Sequence, residues 1–209
     1  MADQLASGQR FRVLNVVDDF TRECLIMHVG TSITGADVAR LLSEVLAERA
    51  QPAMIVTDNG PEFISKALDQ WSHVRGIVQH CNRPGKPVEN AYIESFNGRV
   101  RDECLNLHWF QTLPQARLIV AAWRQDDNQV RPHSSLDNLS PQTFARLIQA
   151  GRATIQVQLD WTDAGGNLNS ALFRVLHEAN GTRIRDTIPL QLDWTARRRN
   201  LSVAASSLP

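Results

Sequence analysis

F-R-V-L-N-V-V-D-D-F-T-R-E-C-L-I-M-H-V, residues 11–29, decides the fold class. Phe11 to Asp18 is a β-rich run, Asp19 to Thr21 is a polar turn, and Cys24 to Val29 is a second β-rich run. Two such runs joined by a short polar turn predict a β-hairpin. Downstream, Thr34-Gly35-Ala36-Asp37 has capping-box form, and Val38, Leu41, Leu42, Val45 and Leu46 follow at helical spacing. That pattern predicts an amphipathic helix of about four turns. Pro52 punctuates it, and Ala53 to Val56 reads as a short buried strand running into Thr57-Asp58-Asn59-Gly60. A helix through Lys66 to His73, a strand at Gly76 to Cys81, a Pro/Gly loop at Arg83 to Pro87, and helices at 89–106 and 114–128 follow. Strands alternating with helices imply an α/β domain.

The whole chain has 209 residues, enough for one substantial domain or two small ones. Hydrophobic residues make up 43% and charged residues 21%, which excludes a disordered polymer. No apolar stretch approaches the roughly 18 residues of a membrane-spanning helix, and the first residues lack a secretory pattern. Cys24, Cys81 and Cys104 are widely spaced without C-x-x-C, so they read as reduced thiols of a cytoplasmic protein. The formal charge is +0, and Lys66 and Lys86 are the only lysines among 22 basic residues. Arginine suits phosphate recognition, and a GC-rich gene gives the same bias. After Gly151 the composition changes: Glu and Lys nearly vanish and Q-L-D-W-T occurs twice, at 158–162 and 191–195. The reading is a core over 1–111, a helical extension over 112–150, and a tail over 151–209 that is either poorly ordered or a small β unit.

Asp58 ends a predicted strand, at the edge where α/β sheets carry their sites, although D-N-G is first of all a turn. On the helix beginning near Glu89, Ile93, Phe96, Val100 and Cys104 trace an apolar stripe, while Asn90, Glu94, Asn97, Gly98 and Arg101 trace a polar face. Solvent exposure is the ordinary fate of such a face. A carboxylate and an arginine two turns apart also suit a metal and a phosphate held together. Trp71, Trp109 and Trp123 read as core aromatics, His133 as a capping or packing residue, and the histidines lack metal-ligand spacing.

The runs T-D-N-G-P-E-F at 57–63, R-P-G-K-P-V-E-N-A-Y-I-E-S-F-N-G-R-V-R-D-E-C-L-N at 83–106 and R-P-H-S-S-L at 131–136 resemble the second-reading-frame transposases of bacterial insertion sequences. These belong to the retroviral-integrase-like DDE superfamily. Asp58 and Glu94 enclose 35 residues, the D-35-E interval of that family. The resemblance implies a ribonuclease H-like mixed sheet flanked by helices, with three carboxylates holding two Mg²⁺ (or Mn²⁺) ions for DNA cleavage and strand transfer. Asp58 would be the second acid and Glu94 the third, both catalytic and metal-binding. Lys86, Asn97 and Arg101 would contact DNA. The implied partners are the element ends and target DNA, and a transposase subunit carrying a helix-turn-helix; no membrane is implied.

The sequence departs from this pattern at the first acid, which should fall about two residues before Met1. Asp3 lies four positions further along, roughly 13 Å away in an extended strand at ~3.3 Å per residue. Asp18 and Asp19 read as turn residues. The chain therefore reads as N-terminally truncated, with its first, central strand largely missing and two inner strand edges unpaired. Two activities are compatible with it: a DDE transposase core, or an inactive remnant that only binds DNA or a partner transposase.

Overall fold

The structure is a computed structural model that describes residues 1–81, 91–149, 154–159, 172–179, 182–189 and 200–204. The chain divides into two compact units, Met1–Asp126 with Arg198–Pro209, and Asp127–Arg197.

The first unit is built on β2 (Arg10–Asp18), which pairs antiparallel with β3 (Cys24–Gly30), from Arg12↔Gly30 to Val17↔Cys24. The register slips between Val16 and Val17, so the hairpin carries a bulge beside its turn. Asp18 closes that turn: its Oδ1 accepts from the amides of Phe20 and Thr21 at 2.9 and 3.2 Å. Both faces of β2 are covered. Phe11, Val13 and Val17 pack with Ile93, Phe96 and Val100 of α3 (Ala91–Val100) and with Ala116, Val120 and Trp123 of α4 (Leu113–Gln129). Leu14 and Val16 join the opposite cluster with Val38, Leu42, Ile55, Phe63, Leu68 and Trp71. A strand buried on both faces explains the nearly unbroken apolar run of Phe11 to Val17.

The opposite cluster is supplied by α1 (Gly35–Glu48) and α2 (Lys66–Arg75). Thr34 caps α1 in a full capping box with Asp37, and Ser65 caps α2 through the amide of Leu68. The two caps nearly touch. A Cβ on Gly35 would stand 1.7 Å from Ser65 Oγ, so only glycine fits there. Gly76 ends α2 in the left-handed conformation at φ 64° and turns the chain into β5 (Val78–Cys81). β5 lies parallel to β4 (Met54–Thr57), from Met54↔Val78 to Thr57↔Cys81.

The centre of the sheet differs from the sequence expectation. β1 (Ala2–Gln4) pairs antiparallel with Arg10–Arg12 of β2, and farther along the same ladder β9 (Asn200–Ala204) pairs antiparallel with Asn15–Asp18. β9 also runs parallel to β4, from Met54↔Asn200 to Thr57↔Val203. The order is therefore β1-β2-β9-β4-β5, with β3 on the other side of β2. The inner edges expected to be unpaired are paired, by a strand from the far end of the chain.

The helix expected over 89–106 is α-helical to Val100 and then forms a π-turn over Arg101–Leu105, closed by the Asn106 amide on the Arg101 carbonyl at 2.8 Å. The wider turn places Cys104 and Leu105 in the core. Trp71 and Trp123 are buried as expected, but Trp109 is 72% exposed. It falls between the π-turn and α4, where no helix periodicity governs its direction.

In the second unit, Ser134–Leu136 forms a single 3-10 turn before α5 (Pro141–Gln149). β6 (Thr154–Leu159), β7 (Leu172–Ala179) and β8 (Thr182–Pro189) form an antiparallel sheet in the order β6-β7-β8.

Candidate active site

Asp58 leaves the carboxyl end of β4 at once into a turn. Its Oδ1 accepts the Gly60 amide at 2.9 Å, an Asx-type closure that fixes the carboxylate at the rim of the sheet. Burial raises the Asp58 pKa above the ordinary carboxylate value; the Gly60 hydrogen bond opposes the shift and the neighbouring Glu62 carboxylate adds to it. The α-amino group of Met1 is also near. It donates to the Val13 carbonyl at 2.9 Å, and burial lowers its pKa to about 5 against the pull of Asp58.

Glu62 is the residue that sequence reading missed. Its side chain is 1% exposed, and Oε2 lies 3.3 Å from Arg12 Nη1 on β2. Oε1 is buried and has no hydrogen-bond partner among the described residues. A Cβ placed on Gly60 would be 3.0 Å from Asp58 Oδ1 and 3.0 Å from Glu62 Oε1. The two carboxylate oxygens thus stand no more than twice that distance apart, on either side of space that a side chain at Gly60 would fill. The signal was present in T-D-N-G-P-E-F: a turn at Asn59-Gly60-Pro61 folds the glutamate back toward the aspartate. Glutamate is so rarely buried that composition alone points it to solvent.

The other expected residues are placed by α3. Ile93, Phe96, Val100 and Cys104 are fully buried, so the apolar stripe faces the core and Glu94 lies exposed on another face. Asn97 Oδ1 accepts from Asn15 Nδ2 at 2.8 Å, tying α3 to the middle of β2, and Asn15 Oδ1 is buried without a partner among the described residues. Arg101 is half-buried and its Nη2 approaches the Ala2 carbonyl at 3.4 Å. Lys86 and Asn90 lie outside the described residues. Among the described residues no three His, Cys, Asp or Glu side chains converge as a metal-holding group. What the structure brings together is Asp58 with Glu62, flanked by Arg12.

The donor chemistry of this rim suits a hard divalent cation. Carboxylate oxygens predominate, their local charge is unfavourably negative, and Mg²⁺ typically uses only one or two carboxylates while keeping several waters. Two of the thiols stand apart from that role. Cys24 and Cys104 are buried, and burial pushes the Cys104 thiol up to about 11.

Comparison with known proteins identifies relatives of the chain. The integrase core domain family matches residues 3–87 and again residues 75–141. The chain is 52% identical over 143 residues to an uncharacterized 31.7 kDa protein of insertion element IS407 from Burkholderia multivorans, covering 68% of this chain and 52% of that protein. It is 51% identical over 154 residues to an uncharacterized 39.2 kDa protein of insertion element IS476 from Xanthomonas euvesicatoria, covering 72% of this chain and 44% of that protein. The chain thus spans about half the length of these curated relatives. Among solved structures, the catalytic core domain of BIV integrase superposes with a TM-score of 0.53 at 15% identity, over 72% of this chain and 94% of that one. At that identity the likeness concerns the ribonuclease H-like fold.

Proposed function

The chain belongs to the integrase core domain family of insertion-sequence transposases, and from that membership we propose that it is the DNA-transposition core of such an element. The observation that carries the reading is Asp58: a carboxylate fixed at the carboxyl end of a central strand, crowded by a second carboxylate, and 35 residues from Glu94. In this reading Asp58 and Glu94 hold Mg²⁺ or Mn²⁺. Two such ions, when bound, stabilise the attacking and leaving oxygens of an in-line displacement at phosphorus.

The chain's own residues have separate tasks. The Gly60 amide holds Asp58 in one orientation, and the Asn15–Asn97 hydrogen bond holds α3, and with it Glu94, at a fixed height over β2. Arg101, one helix face away from the core, and Lys86 bind phosphates of the DNA. Element ends and target DNA are the substrates, and a transposase subunit with a helix-turn-helix supplies end recognition. No described helix is long and apolar enough to cross a membrane.

One observation favours a second reading, in which these residues hold DNA without cutting it. The strand between β2 and β4, Asn200-Leu201-Ser202-Val203-Ala204, contains no carboxylate. Cleavage and strand transfer on an element-end duplex with Mg²⁺ or Mn²⁺ separate the readings. Metal-dependent products that vanish in Asp58→Asn and Glu94→Gln support the first, and DNA binding without products supports the second.

A further inference from the structure

We propose that Glu62 is a second cation-holding carboxylate of this rim, binding a divalent ion jointly with Asp58 beside Gly60. The inference rests on reading Asp58 as a cation-binding residue. A charged group that is 1% exposed is normally satisfied on every side, because burial without partners is costly. Glu62 is satisfied on one side alone: Arg12 reaches Oε2, and Oε1 faces no donor among the described residues. What lies near Oε1 is Asp58 Oδ1: both atoms stand 3.0 Å from the position a Cβ on Gly60 would take, so they are no more than twice that distance apart. A cation of the Mg²⁺ class sits roughly 2.1 Å from its oxygen ligands, so one ion bridges the two carboxylates beside Gly60 once side-chain rotation brings an oxygen of each within about 4 Å of the other. The ion would relieve the orphaned oxygen and the crowding of like charges together.

The same geometry gives Arg12 a defined role as a competitor. Its guanidinium neutralises one oxygen of Glu62 and so limits the charge available to the ion. A purely structural Glu62–Arg12 ion pair makes a different prediction, since Glu62→Gln then changes stability and leaves ion affinity alone.

The experiment is Mn²⁺ binding to the full 209-residue chain without DNA, read by electron paramagnetic resonance of the free ion, with thermal unfolding in chelator as the control for folding. Glu62→Gln is expected to weaken binding at least tenfold, Asp58→Asn to weaken it as much, and Arg12→Gln to tighten it severalfold. Should Glu62→Gln fail to fold, the Arg12→Gln result decides, because unchanged Mn²⁺ affinity there overturns the proposal. Wild-type affinity in a folded Glu62→Gln, with binding lost in Asp58→Asn, overturns the role of Glu62 and leaves the proposed function standing. Absence of Mn²⁺ binding in the wild-type chain overturns both.

Discussion

The two edges of β2 are made in opposite ways. On one edge β3 follows within the same hairpin, and Arg12 to Val17 find partners between Cys24 and Gly30. On the other edge the partners come from both ends of the chain: Ala2–Gln4 opposite Arg10–Arg12, and Leu201–Ala204 opposite Asn15–Asp18. The first edge is local and closes with little loss of chain entropy. The β9 part of the second requires a loop closure across nearly the whole sequence, which local propensity does not encode. The register adds a detail. On that second edge the residue opposite Asn15 is Ala204.

The largest effect that separates the two edges is on stability. Ser202 pairs with Val17 on one side and Val56 on the other, whereas Asp3 pairs on one side with Phe11. Proline within a central strand removes a ladder bond and is tolerated essentially only at edges. Ser202→Pro is therefore expected to destabilise by about 1–3 kcal/mol, the cost of leaving a buried ladder partner unsatisfied. Asp3→Pro should cost clearly less. Chemical denaturation of both variants measures the difference, and equal losses would mean that β9 contributes no more than an edge strand.

A smaller effect sharpens the account of α3 beside β9. If Arg101 binds phosphate, Arg101→Ala lowers DNA affinity and reduces the slope of log K against log salt by about one unit. An unchanged slope returns Arg101 to a structural role at the Ala2 carbonyl.

The smallest effect is a pH dependence at the end of β4. Burial raises the folded-state pKa of Asp58, so its protonated form contributes stability that is present below the unfolded pKa and is lost as pH rises through the folded pKa. Asp58→Asn removes that loss. The variant should melt above the wild-type protein at neutral pH, with a smaller difference in mild acid. A difference independent of pH would contradict the burial argument.

The sequence carries the local parts of this architecture in readable form. The hairpin, the Thr34 capping box and the helix after Ser65 each have their determinants within a few residues. The α3 stripe was equally legible, because Ile93, Phe96 and Val100 repeat at helical spacing. β9 was not, since five residues of N-L-S-V-A are too short to show alternation and their partners on β2 and β4 lie far away in the chain. Trp109 was misplaced because spacing inside a helix does not extend past a π-turn. Asp58 was visible as a strand-end turn, and Glu62 was hidden by the general rule that glutamate faces water. The π-turn itself leaves no compositional mark in R-D-E-C-L.

The transposition reading rests on Asp58 and Glu94 acting together at one integrase-like site. A Mn²⁺-dependent strand-transfer assay on an element-end duplex tests it, comparing the wild-type chain with Asp58→Asn and Glu94→Gln. Joined products from the wild-type chain are expected, with their loss in both variants. DNA binding without joined products from the wild-type chain would contradict that reading.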